Sequence, residues 1–455
     1  MGGTMKVGKR SSRARAALAA IAVVTLAGSA GFAVPAGAAE ATALEEESEG
    51  ECPDASGTVK IGMSYFGSVS TNLGQIGADT DLVPADQAVV DGYKRAIGAL
   101  NEAGGIAGCQ VEPVFFNFSA QAADFNQESQ KECSAFTQDE KVFAVYAAAY
   151  ETKVAVDCFA KAKTPFFSSG ANYPPSCADA QQYAGYIYSP TGIYTCRFGS
   201  FIKLWNDAGL FPKDAKVGIL VKDDGSGQGD FLADKVWIPE LKKLKIPVST
   251  FNYTGATAGS RRGEVTAALG NAILQFKAEG VNVILFTPAG AQAPAFFMPQ
   301  ANTQGYFPNY GITTADGFGI SATLGGDAMK VGVGISWSLT DLPLQDQQAL
   351  AANTAAEDCA SWSTPSTTST TGASGLCDFI HILHESMEGA TKVDAATLKQ
   401  GIAALGTKFA SSVTYDGATK FTKKRFDGGI KAMLLEFDPT AKVWNPISDK
   451  TVTIP

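Results

Sequence analysis

From Thr58 onward the chain alternates two rhythms of apolar residues. Val59, Ile61 and Met63 recur at every second position, the period of a strand. Val89, Val90, Tyr93, Ile97 and Leu100 then fall on one face of a helix. Gly104 and Gly105 stop that helix. A strand over Val111 to Phe116 follows, then a helix around 126–136, a strand apolar throughout at 142–146, and a helix around 154–162. That helix leads into Pro165, Phe166, Phe167 and Ser168.

The alternation restarts at Val217–Val221, a strand, with a helix over 230–244. A strand at 248–253, a helix at 265–278 and a nearly all-apolar strand at 281–286 complete the second run. Strands alternating with helices predict parallel sheets covered on both faces. Two runs roughly 150 residues apart predict an α/β protein of two similar three-layer lobes. The remainder is less regular: a strand at 331–337, helices at 379–388 and 398–405, a late strand at 432–437 and a short tail. Such isolated elements predict that the chain returns to complete both lobes.

The N-terminus obeys a different rule. Lys6, Lys9, Arg10, Arg13 and Arg15 precede an apolar run from Ala16 to about Val34, followed by Pro35-Ala36-Gly37-Ala38-Ala39. Basic, apolar, then small residues describe a secretory signal peptide over residues 1–39, cleaved near Ala38 or Ala39. Gly28, Gly31 and Pro35 interrupt the run, which argues against a membrane anchor. Cys52 follows the acidic stretch Glu45 to Glu51 rather than an apolar segment, so no lipid anchor is expected. Residues 40–57 read as an acidic leader, and the product as secreted or periplasmic.

Cleavage removes five basic residues and no acidic ones. That leaves 31 basic against 45 acidic side chains, a formal charge of −14. Such a surface repels phosphate backbones and anionic lipid, which excludes nucleic acid as an expected partner. The eight cysteines of an exported chain are expected in disulfides, although eight allow about 105 pairings. Cys359–Cys377 would close a Ser/Thr/Gly-rich loop, and spacing favours Cys177–Cys196 next. Cys52–Cys109 and Cys133–Cys158 remain.

Three blocks carry a family likeness: Val59 to Ser64, Asp91 to Ile97, and Asn101-Glu102-Ala103-Gly104-Gly105-Ile106-Ala107-Gly108. Ser168 to Pro174, Val217 to Asp223, Thr414 to Gly417 and Lys431 to Phe437 extend it. In order and spacing these segments resemble type I periplasmic binding proteins, within them the branched-chain amino acid and amide-type substrate-binding subunits of ABC importers. The resemblance implies two lobes joined by three crossing strands, near 189–191, 337–339 and 411–413. Lobe 1 would comprise 58–190 plus 339–412, and lobe 2 191–338 plus 413–455. It also implies a small-molecule ligand (an amino acid, amide or related compound) held in the interlobe cleft by a monomer, with importer membrane subunits as partners.

Carried onto this chain, the cleft loops hold Tyr65 and Phe66 after the first strand, and Ala149, Tyr150 and Glu151 after the third. Gly170, Ala171 and Asn172 follow the fourth, and Ala289, Thr314 and Asp316 come from the other lobe. Amino-acid binders place Ser/Thr hydroxyls where Ala147-Ala148-Ala149 stands here. An aromatic and an acid in their place favour a larger, more aromatic, cationic or amide-bearing ligand. Residues 69–84 read as an insertion in the first loop that could cover the cleft mouth.

Other features point to no chemistry. His381 and His384 lie three apart on a predicted helix, with Glu385 and Glu388 alone beside them, so a surface or capping role is expected and no metal. No Gly-x-Ser-x-Gly elbow accompanies them. Asp223 to Asp230 is Gly-rich between a strand and a helix but lacks a Lys-Ser/Thr, and its acids would repel phosphate. No cofactor and no catalytic residue is expected. The alternatives are a secreted enzyme on a related α/β scaffold and a sensor that docks on a membrane receptor.

Overall fold

Strand β1 (Thr58–Gly67) forms because its alternating residues serve two faces. Val59, Ile61 and Met63 are buried in one core, while Gly62 faces the other. A Cβ on Gly62 would meet the Phe136 ring at 2.9 Å, so the close approach of the covering helix requires glycine there. The computed structural model describes residues 57–67, 86–119, 121–147, 152–168, 177–223, 225–255, 262–288, 292–325, 329–342 and 371–455. All lie in one unit, Glu47–Pro455.

β1 pairs in parallel with β2 (Gln110–Ser119) and β3 (Ala144–Ala147), and the sheet continues through β4 (Phe166–Ser168) and β5 (Ile187–Tyr188). Its order is β2-β1-β3-β4-β5. Tyr93, Ile97 and Leu100 of the helix Asp86–Glu102 cover one face. They are joined there by Phe379, Ile380 and Leu383 of Thr371–Ser386 and by Leu398 and Ile402 of Ala395–Leu405. Phe136, Val156 and Phe159 cover the other face. The late helices thus complete the first lobe, as their isolation in the sequence predicts.

The second sheet holds β6 (Val217–Asp223), β7 (Val248–Thr254), β8 (Val283–Phe286), β9 (Asn309–Thr313), β10 (Gly332–Ser336), β11 (Lys431–Asp438) and β12 (Val443–Thr453). Its order is β12-β11-β10-β9-β8-β6-β7, parallel except for β11 and β12. Leu269, Ile273, Phe297 and Phe318 cover one face, and Phe201, Trp205, Trp237 and Leu241 the other. The expected short tail is in fact β12. β5, β9 and the helices Gly199–Asp207, Gln292–Thr303 and Phe318–Gly325 are also additions to the predicted elements.

The two sheets are linked where the chain passes between them. Ser189 N–H donates to Phe426 C=O at 2.9 Å and Gly428 N–H to Ser189 C=O at 2.9 Å, while Leu339 N–H donates to Val413 C=O at 2.7 Å. Tyr415 sits in the second lobe's core, yet Phe421 and Phe426 return to the first. Two expected disulfides are present, Cys133–Cys158 and Cys177–Cys196. The first joins the helices Phe125–Ser134 and Lys153–Lys161. The second ties Cys177–Gln182 to the turn Thr195–Arg197 behind the first crossing. Cys109 and Cys377 are disulfide-bonded too; Cys52 and Cys359 lie outside the described residues.

Gly428 is where the crossings press closest. A Cβ there would lie 1.8 Å from the Pro190 carbonyl oxygen, a backbone atom with no room to retreat. Gly428→Ala is expected to destabilise the protein by about 2 kcal/mol, read as a lowered thermal denaturation midpoint; an unchanged midpoint would show that the crossings are not packed this tightly.

Candidate functional site

Open parallel sheets bind ligands beyond the C-terminal ends of their strands, where the strand order reverses. The first sheet reverses between β1 and β3, the second between β6 and β8. At these edges stand Ser64 to Gly67, Thr152, Lys222, Gln228 and Thr287.

Tyr65 and Phe66, expected in a loop, belong to β1, which outruns β3 and pairs with Asn117 and Phe118 of β2. Phe66 is seated between Phe118 and Phe125, at 5.9 and 6.2 Å between ring centroids. Its role there is packing. Tyr65 is only partly buried; burial and the nearby Asp86 charge raise its hydroxyl above the usual tyrosine value. Thr152 caps its own helix, accepting from Ala155 N–H at 3.1 Å and donating to Ser129 Oγ at 2.8 Å. Ala149, Tyr150, Glu151, Gly170, Ala171, Asn172 and Ala289 lie outside the described residues, as does the segment 69–84.

The second lobe contributes residues the sequence reading passed over. Lys222 is the penultimate residue of the strand Val217–Asp223 and is buried. Its stem lies so close to Gly255 that a Cβ there would meet Lys222 Cε at 2.6 Å. Its backbone N–H donates to Thr287 Oγ1 at 2.9 Å, which joins β6 to β8 at the edge. A lysine directly after the apolar run Val217–Val221 was the legible signal. Gly227 adopts the left-handed conformation and starts the helix at Gln228, so the Gly-rich segment is the helix-capping turn expected of it. Three buried polar atoms without partners stand at the strand ends: Ser64 Oγ, Gln228 Nε2 and Asp316 Oδ1. Others, such as Trp237 Nε1 and Trp444 Nε1, lie in the cores.

Thr314 and Asp316 occupy a short turn after β9 and are already engaged. Asp316 Oδ2 accepts from Thr313 N–H at 2.9 Å and Thr313 Oγ1 at 2.7 Å. Burial pushes this carboxyl up to about 7 against those two donors. Thr314 Oγ1 donates to Asp341 Oδ2 at 2.6 Å and accepts from Trp337 N–H at 2.9 Å. Thr314 therefore braces the second crossing, while Asp316 closes the capping box of its own turn. His384 Nδ1 lies 2.9 Å from Gly105 C=O, tying its helix to the turn after Asp86–Glu102. No cluster of metal-binding side chains occurs among the described residues.

The hinge has its own charged centre. Asp427 is fully buried and receives Arg197 in a fork, Nε to Oδ2 at 2.6 Å and Nη2 to Oδ1 at 3.0 Å. Tyr194 N–H also donates to Oδ2, at 3.1 Å. Arg425 lies behind, donating to the carbonyls of Asp427 and Gly429 at 3.0 and 2.7 Å. Asp427 thus separates two guanidiniums that oppose each other's charge.

No protein-family model and no curated protein matches the chain. Solved structures do. The chain is similar to a branched-chain amino acid ABC transporter protein from Thermus thermophilus with bound valine: TM-score 0.60, 16% identity, over 88% of this chain and 96% of that one. A Rhodopseudomonas palustris solute-binding protein in complex with 3,4-dihydroxybenzoic acid matches at TM-score 0.59 and 14% identity, over 88% and 98%. A fatty acid ABC transporter substrate-binding protein from Thermomonospora curvata matches at 0.59 and 15%, over 86% and 92%. The fold is the type I periplasmic binding fold expected from the resemblance.

Removing one partner of a buried ion pair leaves an uncompensated charge, which costs about 3–5 kcal/mol. Asp427→Ala leaves two and is expected to reach that range in chemical denaturation, whereas Lys203→Ala, which loses an exposed pair to Asp207, is expected to cost under about 1 kcal/mol. Equal losses would contradict the assignment.

Proposed function

We propose that this chain captures a small solute between its lobes and passes it, chemically unchanged, to the membrane subunits of an ABC importer. The observation that carries the reading is the paired switch point: two mostly parallel sheets, each reversing its strand order, connected by segments that pass from one to the other. The likeness in fold to solute-binding proteins over most of the chain supports it.

We take the solute to be an amino acid, an amide or a related compound. Valine, 3,4-dihydroxybenzoic acid and fatty acids, named for the similar proteins, are all carboxylic acids with an apolar body. Tyr150, Glu151 and Asn172 would meet it from the first lobe, within 58–190 plus 339–412. Ala289 would meet it from the second, built on 191–338 and the later part of 413–455, a span whose Phe421 and Phe426 pack in the first lobe; buried Lys222 stands at the same edge. The protein would work as a monomer outside the cytoplasm, after cleavage near Ala38 or Ala39 and without a lipid anchor. Two disulfides support an oxidising compartment.

The test is a thermal-shift screen of the mature protein against amino acids, amides, urea derivatives, aromatic acids and fatty acids, followed by native mass spectrometry. A ligand at about 100 times its Kd should add roughly 2.7 kcal/mol of stability, appear as an intact adduct and yield no product. Tyr150→Ala should weaken that adduct about tenfold or more, a loss of ~1.4 kcal/mol or above. A panel without any shift, or a new product mass, would overturn the reading.

A further inference from the structure

The strands β6 to β10 all run parallel, so the connections that enter them share one edge of the second sheet, at the far end from the ligand edge. Backbone hydrogen bonds tie these connections into a floor. Val217 N–H donates to Pro247 C=O at 2.9 Å and Asn282 N–H to Lys216 C=O at 3.0 Å. Asn309 N–H donates to Asn282 C=O at 2.9 Å and Tyr310 N–H to Val331 C=O at 3.0 Å. From β7 to β10 the floor spans four strand spacings, about 19 Å.

This floor reverses the charge of the chain, which is −9 overall. Among the described residues, these connections and the helical turns leading into them hold seven lysines and four carboxylates, Asp207, Asp214, Glu240 and Glu279. Asp207 is already paired with Lys203, one turn further from the floor. Lys213, Lys242 and Lys245 are exposed, and none pairs with a carboxylate among the described residues. Lys277 Nζ donates to the Gln304 carbonyl at 2.7 Å, and Lys330 Nζ lies 4.5 Å over the Phe307 ring, so neither meets an opposite charge. The matching edge of the first sheet has no such excess: there Lys141, Lys161 and Lys163 stand among Glu102, Asp139 and Glu140.

Large apolar side chains surface at the same place. Leu244, Phe307 and Val331 are 40%, 43% and 43% exposed in these connections, and Leu274, one turn before Lys277, is 61% exposed. Among the described residues only Ile447, on β12, is comparable. A single exposed leucine needs no explanation, but four of five such side chains beside a cationic excess do. A lysine can lay its stem along apolar surface while its ammonium meets a phosphate, and the apolar tips gain by leaving water. A soluble polyanion would satisfy the lysines alone. An anionic lipid surface satisfies both sets.

We propose that this floor docks the protein on an anionic lipid bilayer. At about 0.1 M salt, charges further away than a Debye length of about 10 Å are screened, so the local excess decides the contact rather than the net charge. The contact is made at the N-terminal ends of the strands and leaves the ligand edge at their other ends uncovered. It holds whether or not the chain captures a solute.

Flotation of the mature protein with vesicles tests this. Vesicles of phosphatidylglycerol and phosphatidylcholine in equal parts should carry the protein, and phosphatidylcholine alone should bind it at least about tenfold less. Raising the salt to about 1 M, where the Debye length is about 3 Å, should release it. Lys242→Gln, Lys243→Gln and Lys245→Gln together should weaken partition at least about tenfold, since each lysine near the surface is worth roughly fivefold. Lys141→Gln, Lys161→Gln and Lys163→Gln together should leave it unchanged. Leu244→Ser with Phe307→Ser should weaken it about fivefold or more. All the replaced side chains are exposed, so the variants should keep the native circular dichroism spectrum. Equal losses in the two lysine triples, no loss in the Leu244 and Phe307 variant, or binding to inorganic polyphosphate without binding to the vesicles would each overturn the proposal.

Discussion

A carboxylate with no exposure to solvent holds this molecule's two halves in register. Asp427 is removed from water, which is affordable only because it receives a forked guanidinium and a backbone N–H at once. Its partners come from the first passage between the lobes, and its own segment belongs to the last. Arg197 reaches further, to the Pro455 carbonyl at 3.1 Å, so the chain's final residue is gathered to the same point. That charge adds a side-chain tie to the backbone hydrogen bonds that already hold Ser189 against Phe426 and Gly428.

The hinge is built differently on its two sides. Around Asp427 the donors are guanidiniums, which stay charged at any physiological pH. Around Asp341 they are hydroxyls, whose protons can turn. One side keeps its charge pattern at any physiological pH, and the other joins β9, β10 and the last crossing through hydroxyls alone.

Much of the fold was legible because parallel strands covered on both faces read as apolar runs. Val283–Phe286 and Ala144–Ala147 stand out on that ground alone. β5, with two residues, is too short for any period, and Gly311 interrupts β9. Pro299 lies inside the helix Gln292–Thr303, where it argues locally against one. Pro446 and a polar stretch from Ser448 to Lys450 disguise β12 as a tail. The hinge was illegible for a different reason: Arg197 and Asp427 are 230 residues apart, and nothing local marks either as half of a pair. Thr314 and Asp316, expected to face the ligand, do stand after the end of β9. What no spacing could reveal is that Asp341 and Thr313 already occupy them.

The first lobe is assembled from pieces made at very different times. Phe379 packs on Tyr146 and Phe167, with centroids 5.2 and 5.0 Å apart, so β3 and β4 lack part of their cover until a helix more than 200 residues downstream exists, although Tyr93 already packs on Tyr146. On a ribosome adding 5–20 residues per second, that face stays partly open for roughly 10–40 s. The strands β6 to β10 of the second lobe, by contrast, follow one another and can begin to close while the first is still waiting. Synthesis therefore produces the lobes out of order. An unfinished apolar face, presented for that long, is a surface on which the nascent chain is exposed to aggregation.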